Sequence, residues 1–285
     1  MKSLILIGDA RDRLEEVPAG SVRTCVTSPP YFGLRDYGHE GQMGLERTPE
    51  DFVDQLASVL ALVYDALTPD GTLWLNLGDT YHPNGNLLGI PWLVAFELQN
   101  HGWILRSDII WQKPNVMPES TKTRPTKSYE HLFLFAKSDK YYYDNDAIRE
   151  PVSEVSLARA KYGFHTDRPS AKSGKDGIHV EEMGSRFVNP LGRNKRDVWT
   201  IPTASFKGAH FAVMPEALVE PCVLAGSQEG DTVLDPFTGS GTVAVVANRL
   251  GRNFVGTELN PEYGEIAKER ITNADPMFNQ VEVKQ

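Results

Sequence analysis

Between Thr232 and Glu258 the chain reads TVLD, then DPFTGSGT, then an apolar stretch to Leu250, then NFVGTE. A strand, a glycine turn, a helix and a second strand in that order leave few architectures open. Two strands joined through a helix run parallel, and a parallel sheet needs helices on its faces. The rest of the chain extends this pattern. LILIG (4–8) and VRTCVT (22–27) read as strands, TLWLNLG (72–78), WILRSDIIW (103–111) and HLFLFAK (131–137) as three more, and PWLVAFELQ (91–99) as a helix. A longer helix opens at Thr48, with Pro49 in its first turn and Asp51 completing a capping pattern. Its apolar face is Phe52, Leu56, Val59, Leu60, Val63 and Leu67, and Asp70-Gly71 ends it. Further helices are expected near 215–225, over 241–250 and from Pro261. The expectation is one twisted, mostly parallel α/β sheet with helices on both faces.

One stretch breaks the pattern. From about Lys140 to Thr200 the segments YYYDND, HTDRPSAKSGKDG and NPLGRNKRD are rich in Gly, Pro, Ser and charge, without periodicity. This predicts a variable module (140–200) inserted between the parts 1–139 and 201–285 of a single domain. Charge separates along the same lines. The whole chain carries −9, yet Gln112–Thr200 holds 16 Lys/Arg against 12 Asp/Glu, so the remainder stands at 13 against 26. A basic middle in an acidic body suits a local nucleic-acid footprint, with Arg193, Lys195 and Arg196 the densest basic cluster and candidate phosphate contacts; a solvated insert is the alternative. The only cysteines are Cys25 and Cys222, and the start is apolar only from Leu4 to Ile7. These features predict no disulfide framework, no signal peptide, no membrane span and a cytoplasmic protein.

The glycine turn ends a strand and opens a helix, so it offers close backbone approach at Gly239 and Gly241 and free N–H groups to a ligand. No lysine follows Gly241, which speaks against a nucleotide triphosphatase. Glu258 closes the next strand 23 residues after Asp235, a spacing that suits an acid bonding ribose hydroxyls. A nucleoside cofactor is the reading. At the other end of the chain TSPPY (27–31) follows the strand VRTCVT. Two consecutive prolines, neither able to donate a hydrogen bond, can simply mark a strand end.

Together, TSPPY and DPFTGSGT resemble the amino-methyltransferases of DNA, which move a methyl group from S-adenosylmethionine to an exocyclic base nitrogen. The catalytic motif comes first and the cofactor motif last, an order similar to the β-class arrangement of that family. The resemblance runs from GDA (8–10) to FVGTELNPEY (254–263). It implies a Rossmann-like methyltransferase fold in which residues 140–200 recognise the target. It further implies a cofactor pocket lined by Asp235, Phe237, Gly239, Ser240, Gly241 and Thr242, with Glu258 on the ribose and Asp9 near the adenine. HFAVMPEALVEPCVLAGS (210–227), beginning with His210 and Phe211, would pack over the methionine end. Val243 stands where the family often has a second threonine, a position expected to pack on the helix.

The chemistry gives the prolines a purpose. An exocyclic amine is a poor nucleophile because its lone pair is delocalised into the ring. Acceptors on its two protons localise that pair for attack on the cofactor's methyl group. Ser28 Oγ and the Pro29 carbonyl are the candidate acceptors, Pro29 and Pro30 hold the loop rigid, and Tyr31 would stack on a base extruded from double-stranded DNA. SPPY is associated within the family mainly with cytosine N4, so that product is expected, with adenine N6 as the alternative. A protein-glutamine methyltransferase, in which the cofactor motif normally precedes the PPY loop, and an inactive DNA-binding protein are weaker alternatives. Pro221-Cys222 has the look of the nucleophile of cytosine C5 enzymes, but it falls in an expected helix. The histidines and cysteines show no metal-ligand spacing. A monomer or homodimer, with or without a partner restriction enzyme, fits the chain equally.

Overall fold

The computed structural model describes residues 1–36, 38–155, 158, 189, 191–205, 212–276 and 279–285. Among the described residues the strands are β1 (Lys2–Ile7), β2 (Val22–Thr27), β3 (Leu67–Leu77), β4 (Ile104–Gln112), β5 (Tyr129–Ala136), β6 (Val198–Thr200), β7 (Ala204–Ser205), β8 (Ala212–Val213), β9 (Thr232–Asp235), β10 (Asn253–Glu258) and β11 (Gln280–Lys284). The helices are α1 (Ala10–Arg13), α2 (Pro49–Ala66), α3 (Ile90–Asn100), α4 (Glu216–Gly226), α5 (Thr242–Arg249) and α6 (Pro261–Ala274). Nine strands form one sheet in the order β11-β1-β10-β9-β2-β3-β5-β4-β6. Every neighbouring pair runs parallel except those made by β5, which is antiparallel to both β3 and β4. The expected mostly parallel α/β sheet is therefore present, and β7 and β8 form a small separate ladder.

Local chemistry explains the elements. The Thr48 hydroxyl accepts from the Asp51 N–H and Pro49 sits in the first turn of α2, a cap worth about 1 kcal/mol. Of the face of α2 read from its periodicity, Phe52, Leu56, Val59, Leu60 and Val63 are wholly buried; Leu67 is buried too but opens β3, so the helix ends at Ala66 and Asp70-Gly71 lies within the strand rather than at the helix end. The central strands carry near-continuous apolar runs, with Leu73, Trp74, Leu75, Phe133 and Phe135 fully buried, as strands covered on both faces require. The sheet extends beyond expectation at both edges. QVEVK forms β11 beside β1, and Val198–Thr200, inside the span assigned to the variable module, pairs in parallel with Ile110–Gln112 of β4. Tyr141–Tyr143 lie outside any strand, and the Tyr143 ring stacks on Trp74 with centroids 6.3 Å apart.

By internal packing the chain divides into two compact units, Met1–Tyr143 with Asp197–Gln285, and Asp144–Arg196. The second unit is described only at its two ends, where Glu150 and Arg193 exchange backbone hydrogen bonds and Arg149 binds Gly192 and Asn194. Among the described residues no helix is long and apolar enough to cross a membrane.

Candidate active site

In a parallel sheet the carboxyl ends of the strands share one edge, and ligands bind there where the strand order reverses. In the larger unit that edge holds a cleft of about 600 Å³. β1 delivers Gly8 and Asp9 to it, β2 the run Ser28–Tyr31, β3 Asn76, Gly78 and Asp79, β9 Asp235–Ser240, and β10 Glu258–Asn260. Because β5 runs the opposite way, its first residues, Tyr129 and Glu130, reach the same edge, beside Trp111 and Lys113 from the end of β4.

The two motifs meet although 208 positions separate Thr27 from Asp235. β2 and β9 are neighbours in the sheet, and Thr27 Oγ1 donates to Asp235 Oδ1 at 2.6 Å. The Phe237 N–H donates to the same oxygen at 3.0 Å. These bonds do not offset the loss of water around a carboxyl that is 2 % exposed. Burial, with a smaller contribution from the charge of Glu258, pushes the Asp235 pKa up to about 7. Glu258 is displaced upward as well, again chiefly by burial. Its Oε2 accepts from the Gly239 N–H at 2.7 Å and its Oε1 from the Asn260 N–H at 2.9 Å. A carboxylate has about four acceptor positions, so acceptor capacity remains for a ligand in the cleft. Among the described residues neither Asp235 nor Glu258 has a cationic side chain in ion-pair contact. Two desolvated acids without a paired cation match a ligand that brings hydroxyls and positive charge.

The glycines of the turn divide their work. Gly239 has φ +51°, and a Cβ there would meet nothing closer than 3.9 Å, so its backbone is open to the cleft. Gly241, at φ +78°, would press a Cβ to 2.9 Å from Ala267 Cβ, so its smallness lets α6 pack on the turn. Ser240 and Thr242 line the cleft, but their hydroxyls face Arg270 of α6, whose guanidinium also donates to the Ser240 carbonyl. Asp9 caps α1 and is held below the usual carboxylate range, first by its side-chain bond to Arg11. His210 and Phe211 lie outside the described residues. Val213 and Met214, from the same sequence segment, line the cleft.

Around TSPPY lies a polar network that sequence reasoning missed. Ser28 Oγ donates to Tyr31 Oη at 3.2 Å, and Tyr31 Oη donates to Glu130 Oε2 at 2.8 Å. The Asn76 amide nitrogen shares its two hydrogens among all three, at 3.3 Å to Ser28, 2.6 Å to Tyr31 and 3.0 Å to Glu130. Its own Oδ1 is buried without a partner among the described residues, a cost that marks the arrangement as kept for a reason. Glu130 Oε1 pairs with Lys113, which also lies 4.3 Å from the Trp111 ring centroid. A Cβ on Gly78 would fall 2.6 Å from Tyr31 Cε2, so the ring is packed flush against glycine backbone. Asp79 caps α3 through the Gly89 and Ile90 N–H groups, and its carbonyl accepts from Lys127, an ammonium whose pKa burial lowers. Only one of these residues left a trace in the sequence: Asn76 is a polar side chain inside the apolar run TLWLNL, where a buried polar group calls for a function.

The basic cluster Arg193, Lys195 and Arg196 lies in the smaller unit. Arg193 and Arg196 both pair with Glu150, at 3.0 and 3.2 Å, while their side chains stay exposed. Cys222 is fully buried inside α4, its thiol turned to the Leu218 carbonyl. Burial drives the Cys25 thiol well above its ordinary pKa. Neither is placed to act as a nucleophile.

Residues 22–269 match the family model of N6 and N4 methyltransferases described as DNA methylase. The type II methyltransferase M.Cfr9I of Citrobacter freundii is 44% identical over 94% of this chain and 87% of its own length. The type II methyltransferase M.SmaI of Serratia marcescens is 41% identical over 94% and 90%. Among solved structures, the DNA modification methylase TTHA0409 from Thermus thermophilus, complexed with S-adenosyl-L-methionine, superposes with a TM-score of 0.67 at 27% identity, covering 99% of this chain and 100% of that one. The cytosine-N4-specific PvuII DNA methyltransferase shares the fold, with a TM-score of 0.70 at 19% identity over 100% of this chain and 95% of its own.

Proposed function

The chain belongs to the DNA methylase family, and on that premise we propose that it is a type II, site-specific DNA methyltransferase acting on the exocyclic N4 of a cytosine turned out of the duplex. The observation that carries the reading is the Ser28 hydroxyl at the cleft. It is fixed by Asn76 and Tyr31 and keeps one acceptor position unused among the described residues. The serine at the head of the PPY loop is what favours cytosine over adenine.

The residues present fit S-adenosylmethionine. Asp235 and Glu258 are the desolvated acids a cationic, hydroxyl-bearing nucleoside calls for, and the Gly239 backbone leaves room beside them. When bound, the cofactor supplies an electrophilic methyl group. Glu258 holds ribose hydroxyls with its remaining acceptor capacity, and Asp9, Phe237, Ser240 and Thr242 complete the wall, while Gly241, expected to line it, packs against Ala267 of α6 instead. Ser28 Oγ and the Pro29 carbonyl take the two amino hydrogens of the target, drawing its lone pair out of the ring, and the rigid Pro29-Pro30 pair keeps both acceptors aimed. Tyr31, packed against Gly78 at the cleft, is the residue to stack on the base. Residues 144–196 serve as the target-recognition unit, with Arg193, Lys195 and Arg196 on the phosphates.

The test is the product. DNA methylated by the protein, digested to nucleosides and resolved by mass spectrometry, is expected to contain N4-methylcytosine. Ser28→Ala should slow single-turnover transfer about 10²-fold with cofactor and DNA binding retained. N6-methyladenine alone would overturn the base assignment, and 5-methylcytosine with activity lost in Cys222→Ser would overturn the mechanism.

A further inference from the structure

We infer that Glu130 is the terminal proton acceptor of the methyl-transfer reaction, reached from Ser28 through the Tyr31 hydroxyl. The inference rests on the reading of the TSPPY loop as the amine-binding element.

Amino methylation leaves a proton to be placed. As the nitrogen lone pair bonds to the incoming methyl carbon, the carbon–sulfur pair departs with the sulfur. The nitrogen is then cationic and must release one of its two hydrogens. Ser28 Oγ faces one of them. A serine hydroxyl is far too weak a base to keep a proton, so Ser28 can take it only by passing its own hydrogen onward.

The structure provides that onward path with a defined direction. Ser28 Oγ donates to Tyr31 Oη at 3.2 Å, and Tyr31 Oη donates to Glu130 Oε2 at 2.8 Å. Asn76 Nδ2 shares its two hydrogens among all three oxygens and can accept from none of them. With Asn76 occupying one acceptor position on each hydroxyl, both hydroxyl hydrogens are turned toward Glu130. The last acceptor position on Ser28 is left for the substrate. When the amine proton arrives, the Ser28 hydrogen moves to Tyr31 and the Tyr31 hydrogen to Glu130. Both hydroxyls are restored, the methylated base is neutral, and Glu130 carries the proton until solvent removes it.

Lys113 suits this role rather than opposing it. Paired to Oε1, it leaves Oε2 for Tyr31. A methylated amino group whose lone pair is no longer shared with the ring is a strong acid, so a carboxylate suffices to take its proton. The antiparallel course of β5 is what brings this carboxylate to the catalytic edge.

Single-turnover rates with saturating cofactor and DNA, alongside cofactor affinity and melting temperature, test the inference. Glu130→Gln keeps an acceptor for the Tyr31 hydroxyl but cannot take a proton. It is expected to slow transfer about 10²-fold while cofactor affinity is unchanged. Tyr31→Phe, which keeps the ring and cuts the path, should cost a similar factor. The double variant should be no slower than the worse single, as for residues acting in one chain. Glu130→Ala should regain rate saturably with added formate, which a purely structural role would not allow. A Glu130→Gln enzyme within a few-fold of wild type, an additive double variant, or no response to formate would each overturn the relay while wild-type N4-methylcytosine leaves the function standing. A wild type that methylates no amino group would remove both.

Discussion

Asp235 is the group whose titration this structure makes most consequential. Its carboxyl is buried between β2 and β9, with the Thr27 hydroxyl and Phe237 N–H as donors, Glu258 as the neighbouring acid and Cys25 close by. In the unfolded chain it titrates near 3.8, and in the folded protein at about 7. The folded pKa is raised, so the folded state holds a proton that the unfolded state has lost throughout that interval. Stability from this group is therefore fully present below about pH 4 and is lost as pH rises through about 7. The whole displacement corresponds to about 4 kcal/mol, and the part falling between about pH 5 and 8 to about 2 to 3 kcal/mol. Asp235→Asn keeps an acceptor for Thr27 and Phe237 and cannot ionise. Urea unfolding of cofactor-free wild type and variant at about pH 5, 6, 7 and 8 isolates the residue, because Glu258 and every other titrating group contributes to both curves. The wild type is expected to lose about 2 to 3 kcal/mol relative to the variant across that range. A difference independent of pH, or a wild type that gains on the variant as pH rises, would show that Asp235 is ionised in the folded protein and would refute the desolvation argument.

Two further outcomes follow from named contacts. Glu258→Ala removes the acceptor of the Gly239 and Asn260 N–H groups together with the proposed ribose contact, so calorimetry should show S-adenosylmethionine affinity lowered by about 1.5 to 3 kcal/mol, roughly tenfold to a hundredfold, and unchanged affinity would end the ribose assignment. Neutralising Arg193, Lys195 and Arg196 together should flatten the slope of log DNA affinity against log salt by about 2 to 3, and an unchanged slope would remove these side chains from the phosphates.

What could be read from the chain, and what could not, separates by the range of the interactions involved. The glycine turn, the cap of α2 at Thr48 and the rigid TSPPY loop are local: the residues that need the conformation are the ones that dictate it. Glu130 belongs to the other class. Its position depends on β5 inserting between β3 and β4 against the direction of the sheet, a pairing decided by the fit of Phe133 and Phe135 into the core rather than by any signal near residue 130. The same limit hid Arg270, which stands late in α6 yet is turned back onto Ser240 and Thr242 once that helix packs on Gly241. Two hydroxyls that spacing alone directs at a ligand are thus oriented by a helix whose position the spacing does not contain.

The order of the motifs along the chain also loses its importance in the folded sheet. TSPPY lies near one end of the sequence and DPFTGSGT near the other, but β2 and β9 are in register, Thr24 with Val233 and Cys25 with Leu234. That register sets the Thr27 hydroxyl on Asp235 and starts both loops from the same level of the edge. Strand side chains alternate between faces, so a slip of one residue in β2 would turn Thr27 away from Asp235 and carry Ser28 out of reach of Asn76 and Tyr31. The proposed catalytic and cofactor halves of the site are joined by that buried bond and the two strands it links, so the sheet edge, rather than the sequence order, brings the parts together.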